Sequence, residues 1–128
     1  MIYQKMLNST TLLAYQNGQL IFSSEKNWLY PLIDLSDFLK RQKITDAKLM
    51  VEDKVVGRAS ALILVYLGAC QVKAEVLSKL GEEILIKFNI RFQYDHLVDE
   101  ISCATETLLK EESDPAVAFQ LILDRIQK

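Results

Sequence analysis

Two apolar runs near the start of the chain flank an Asn-Gly pair: Thr11-Leu12-Leu13-Ala14-Tyr15-Gln16 precedes Asn17-Gly18, and Gln19-Leu20-Ile21-Phe22-Ser23-Ser24 follows it. Both turn residues tolerate positive φ, so the pattern predicts a tight β-hairpin. Ahead of it, Met1 to Asn8 suits a short helix with Ile2, Tyr3 and Met6 turned inward. Ser24 to Leu29 reads as a loop, anchored by Trp28 and Tyr30. Pro31 fits the first turn of a helix, where a missing N–H costs nothing, and Leu32, Leu35, Phe38 and Leu39 recur at helical spacing as far as Gln42.

Ala47 to Val51 is open between a short strand and an extended lead-in. Asp53 is a suitable N-cap and Gly68 a suitable residue just past a helix end. Between them Val55, Val56, Ala59, Leu62, Ile63, Val65, Tyr66 and Leu67 leave little polar face, which predicts a buried helix. The small residues Gly57, Ala59, Ser60 and Ala61 allow close packing there. Val72, Ala74 and Val76 alternate with Lys73 and Glu75 as a strand. Ser78 then caps a helix to about Phe88, with Leu80, Ile84, Leu85 and Phe88 facing inward. Ile90, Phe92 and Tyr94 alternate with Arg91 and Gln93 as a further strand, and the chain is expected to turn helical after His96. Ser113-Asp114-Pro115 opens a last helix, to Gln127, with Val117, Ala118, Leu121, Ile122 and the stem of Arg125 as its inner stripe. Strands joined through helices by short links pair in parallel through right-handed crossovers. The expectation is an N-terminal hairpin followed by parallel strands with helices on the faces, as a single α/β domain over residues 1–128.

Composition narrows the function classes. A chain of 128 residues, half hydrophobic and a quarter charged, buries roughly two-thirds of its unfolded surface and needs no metal or disulfide to fold. The net charge of −2 and the lack of a Lys/Arg stripe argue against nucleic acid as the main partner. The apolar run Ala59 to Leu67 is shorter than the roughly 20 residues that span a bilayer, so no membrane partner is expected. Cys70 and Cys103 form no CxxC pair and no signal-peptide pattern opens the chain, which suits reduced thiols in a cytoplasmic protein. Cys70, between apolar neighbours, reads as core.

The run Asp53-Lys54-Val55-Val56-Gly57, with Tyr15-Gln16-Asn17-Gly18 and the stretch Ile90 to Val98, resembles a family of uncharacterised proteins, the domain of unknown function numbered 1893. The likeness runs from about Leu12 to Glu106. It implies a three-layer sandwich of the cytidine-deaminase-like type. Where the family carries Cys-Pro-Met-Glu after the last core strand, Cys103-Ala104-Thr105-Glu106 stands here, keeping the Cys and the Glu. Zinc deaminases carry H-x-E at one helix start and P-C-x-x-C at the next. The corresponding positions are read as Asp53-Lys54-Val55 and Ser78-Lys79-Leu80-Gly81, without His or Cys, so neither a zinc site nor another cofactor is expected.

Two readings remain open for the candidate residues. In one, the protein binds a small polar or nucleotide-like molecule: Lys54, Gly57 and Asp95 contact it, and Asp53, Cys103 and Glu106 supply metal-independent chemistry, Cys103 as nucleophile and either carboxylate as acid or base. Asp95 enters because ligands gather at the carboxyl ends of parallel strands; its neighbour His96 reads as solvent-facing. In the other, Asp53 is an N-cap, Cys103 and Glu106 form a capping box, and the chain is a non-enzymatic homodimeric module.

Overall fold

The computed structural model describes residues 9–44, 48–101 and 104–126. The helix expected over Met1 to Asn8, and Cys103, lie outside them. The elements are β1 (Leu12–Gln16), β2 (Gln19–Ser24), α1 (Tyr30–Arg41), β3 (Leu49–Val56), α2 (Arg58–Tyr66), β4 (Ala69–Ser78), α3 (Lys79–Lys87), β5 (Arg91–Val98), α4 (Ala104–Leu108) and α5 (Pro115–Ile126).

The hairpin forms as its turn residues dictate. Asn17 and Gly18 both take positive φ, 51° and 80°, and Gln16 pairs with Gln19 across the turn. β1 also pairs antiparallel with β3, while β3, β4 and β5 run parallel, giving one five-stranded sheet in the order β2-β1-β3-β4-β5. Successive right-handed crossovers in one direction put α2 and α3 on the same face. The buried residues of α1, α2, α3 and α5 accordingly share one core cluster with Leu12, Ala14, Leu49, Val51, Val72 and Ala74 of the sheet. Leu13, Tyr15 and Met50 form a separate small cluster, to which no described helix contributes. The described residues thus make a sheet with one helical side.

The stretch read as a helix from Asp53 to Gly68 is two elements. β3 runs through Asp53 to Val56, and α2 begins at Arg58. Asp53 is therefore no N-cap; Gly57 holds that position in an extended conformation, φ −96° and ψ −168°. A central strand buried on both faces shows no alternation, so its apolar run reads like a buried helix. Gly68 does close α2, at φ 88°.

β5 continues past His96 to Val98, correcting the helix expected there. Ser78 caps α3, its Oγ accepting from the Gly81 N–H at 2.9 Å. Asp114 opens α5 by accepting from the N–H groups of Ala116 and Val117 at 2.9 and 3.3 Å. That helix buries Ala118, Phe119 and Ile122, and Phe119 stacks on Tyr66 of α2 at 4.5 Å, while Val117 is exposed. Trp28 and Tyr30 are exposed too, in edge-on contact at 5.3 Å; the buried anchor of that loop is Leu29. Cys70 is exposed rather than core, its thiol donating to the Leu49 carbonyl at 3.3 Å. Among the described residues, no helix is long and apolar enough to cross a membrane.

Candidate functional site

The starts of α2 and α3 meet over the carboxyl ends of β3 and β4, and Glu106 of α4 ties them together. One carboxylate oxygen accepts from the Arg58 N–H at 2.9 Å, and the other accepts from the Ser78 hydroxyl at 2.7 Å. Glu106 is almost fully buried. It faces the start of α2, where first-turn N–H groups lack intrahelical partners. Gly57 makes the approach possible: a Cβ on it would collide with the Glu106 carboxylate. Gly81 is equally confined, a Cβ there lying 2.9 Å from the Gly57 carbonyl oxygen. Sequence spacing pairs Glu106 with Cys103 in a capping box, a reading that lies outside the described residues; the fold brings Glu106 to the start of a different helix, α2.

Arg58 holds the same junction from the other side. Its guanidinium is buried and reaches two segments, α3 and the loop that leads into α5. Nε donates to the Glu112 carbonyl at 2.9 Å, and one terminal nitrogen donates to the Leu80 carbonyl at 3.3 Å and to Glu83 Oε2 at 3.0 Å. The other terminal nitrogen donates to Ser113 Oγ at 3.2 Å. Arginine at a helix start opposes the dipole. Its contacts with α3 and with the loop before α5 hold it in that place.

Beside this junction lies a cavity of about 250 Å³. Asp53, Lys54 and Val55 at the end of β3 form one wall, residues 26–29 with Pro31 a second, the first turn of α2 a third, and Ile101, Thr105 and Glu106 a fourth. It sits where the antiparallel hairpin meets the parallel half of the sheet, outside strand carboxyl ends, the usual position of a ligand site in an open α/β sheet. Trp28 reaches this wall from a left-handed backbone, φ 62°, a strained conformation for a bulky residue.

Asp53 is the cavity's distinctive group. It is 8% exposed, and burial pushes its carboxyl up to about 8, although the N–H groups of Lys54 and Val55 favour the ionised form. At neutral pH it is mostly a protonated acid, able to donate one hydrogen bond and accept another. A second buried carboxyl, Glu52, belongs to β3 as well but does not line the cavity. Burial raises its pKa, opposed by a hydrogen bond with Tyr15 and the charge of Lys73.

Four residues singled out from the sequence, Asp53, Lys54, Gly57 and Glu106, line this cavity together. Asp95 does not: it is exposed on β5, as is His96. Cys103 lies outside the described residues. Sequence reasoning missed Trp28, Ser60 and Thr105 as wall residues. Of these only Ser60 carried a signal, a polar residue among the apolar positions of α2.

Comparison with known proteins agrees with this architecture. The family model for the domain of unknown function DUF1893 matches residues 2–126. The chain is also similar to a solved structure of a DUF1893 family protein from Thermotoga maritima, with 28% identity and a TM-score of 0.78 over 91% of this chain and 80% of that one. No curated protein matches significantly.

Proposed function

We propose that this chain, which belongs to the DUF1893 family, binds a small polar molecule in the cavity at the carboxyl end of β3. The observation that carries this reading is Asp53, a buried, largely protonated carboxyl opening onto a mainly apolar cavity. A pocket with few convergent polar groups and a perturbed carboxyl is the common form of a ligand or active site. The volume suits a metabolite rather than a polymer segment. Asp53 reads the ligand's polar edge, and Trp28 offers an aromatic surface at the rim.

A metal-independent reaction in this cavity would run through Asp53, whose proton is poised near neutral pH. Glu106 has both oxygens engaged by Arg58 and Ser78, which makes it a wall and a cap rather than a proton carrier. Descent from the cytidine-deaminase-like fold is supported by the hairpin, the parallel strands and the two helix starts brought side by side. Those starts, Arg58-Ala59-Ser60 and Ser78-Lys79-Leu80-Gly81, contain no His or Cys. Among the described residues no three His, Cys, Asp or Glu side chains converge as metal ligands. The residues present there do not fit a catalytic zinc, and no step is drawn through one.

Trp28 is the only tryptophan of the chain, so its fluorescence reports on the cavity. Titration with a collection of small polar metabolites is expected to yield at least one that shifts this emission and raises the melting temperature together. A collection that produces neither change would overturn the reading. The alternative, a homodimeric module, is favoured by one observation: β5 is an edge strand with Arg91, Gln93, Tyr94, Asp95 and His96 exposed. Light scattering that finds a concentration-dependent dimer, lost on Gln93→Pro, would support it.

A further inference from the structure

We infer that the ligand of this cavity carries an oxyanion, a carboxylate or a phosphate, seated on the first turn of α2 against the N–H groups of Ala59 and Ser60 and the Ser60 hydroxyl. The inference rests on the cavity being a ligand site and names the chemistry the site selects.

The first turn of a helix leaves backbone N–H groups without intrahelical partners. In α2 the capping position is Gly57, which has no side chain to satisfy them. Glu106 takes the Arg58 N–H, and the Ala61 N–H bonds to the Gly57 carbonyl at 3.0 Å. Ala59 and Ser60 lie between, both lining the cavity, and no described residue accepts from their N–H groups.

The Ser60 side chain supplies an independent observation. The residue is 6% exposed and borders the cavity, yet no described residue hydrogen-bonds to its hydroxyl. With no protein partner, this hydroxyl is open to a group entering from the cavity side, and a hydrogen bond to an ionised group there is of the stronger kind. Two N–H donors and one hydroxyl on a single turn match an oxyanion, which accepts several hydrogen bonds at once.

The charges around the cavity permit such a group. Lys26 and Lys54 line it, and Glu106 turns both oxygens toward Arg58 and Ser78. Asp53 in its protonated form does not repel an anion and can donate to it. Glu106 itself shows that this helix start accepts a carboxylate at hydrogen-bonding distance.

The test compares benzoate, its neutral isostere benzamide and inorganic phosphate, followed through the amide signals of Ala59 and Ser60 and the indole signal of Trp28. Benzoate, phosphate or both should move the Ala59 and Ser60 signals at millimolar concentration, with benzamide at least about tenfold weaker than the better anion. A response to benzoate alone assigns a carboxylate ligand; a response to phosphate alone assigns a phosphate. Ser60→Ala should keep the melting behaviour and weaken anion binding about tenfold. Benzamide and benzoate binding equally, with Trp28 responding to both, would overturn the inference while leaving the small-molecule site intact. Unmoved Ala59 and Ser60 signals with all three probes would overturn it as well, as would undiminished anion binding by Ser60→Ala.

Discussion

Asp53 sits on a central strand, 8% exposed, where an ionised carboxylate is poorly solvated. Its ordinary value of 3.8 describes the unfolded chain, and burial in the folded chain raises this to about 8. Between these values the folded state holds a proton that the unfolded state has released. Stability therefore falls as pH rises through this window, by up to about 1.4 kcal/mol per unit, and levels off above the folded value. Asp53→Asn removes the titration while keeping an acceptor for the N–H groups of Lys54 and Val55. The variant should match wild type near pH 4 and exceed its stability by about 2–4 kcal/mol at pH 8. Denaturant melts across that range check this; a stability difference that does not change with pH would show that Asp53 is ionised in the fold. Glu106 matters through its contacts, one oxygen on the Arg58 N–H and the other on the Ser78 hydroxyl. Glu106→Ala leaves the Arg58 N–H and the Ser78 hydroxyl unsatisfied, and about 1–3 kcal/mol of stability should be lost by the same melts.

At the scale of elements, the junction of α2, α3 and α4 behaves as one unit. Gly57→Ala pushes a methyl group into the Glu106 carboxylate and toward Ile101, an overpacking that should cost about 1–3 kcal/mol. Combining it with Glu106→Ala frees the space, so the two losses should sum to clearly more than the double variant shows. Additive losses in a double-mutant cycle would mean that Gly57 is required for something other than this approach. The junction also marks where the sequence stops being legible. Asn17-Gly18, Ser78 and Ser113-Asp114-Pro115 announce their turn, cap and helix start because each acts on its own neighbours. The β3–α2 boundary was hidden, because a strand buried on both faces and a buried helix present the same unbroken apolar run. Glu106 was legible as a cap but not as the cap of α2, whose first residue lies 48 positions earlier. The reach of Arg58 to Glu112 and Ser113, 54 and 55 positions away, depends likewise on the tertiary fold.

At the scale of the whole molecule, the described residues are organised around one asymmetry. The helices share a core with one face of the sheet, and the cavity opens at the carboxyl end of β3, beside the helix starts. Asp53, Lys54, Gly57 and Glu106 gather there although they come from β3, the β3–α2 link and α4. Val55 borders the same cavity but is 44% exposed, so enlarging it fills the mouth without disturbing the core. Val55→Trp should fold with near wild-type stability and lose cavity binding. The central claim, that this cavity holds a small molecule, is tested most directly by native mass spectrometry of protein purified gently from its own cells. The account predicts a small-molecule adduct of one per chain on the wild type, absent from Val55→Trp. An adduct that persists undiminished on the Val55→Trp protein, or a bare wild-type mass under conditions that preserve noncovalent complexes, would contradict it.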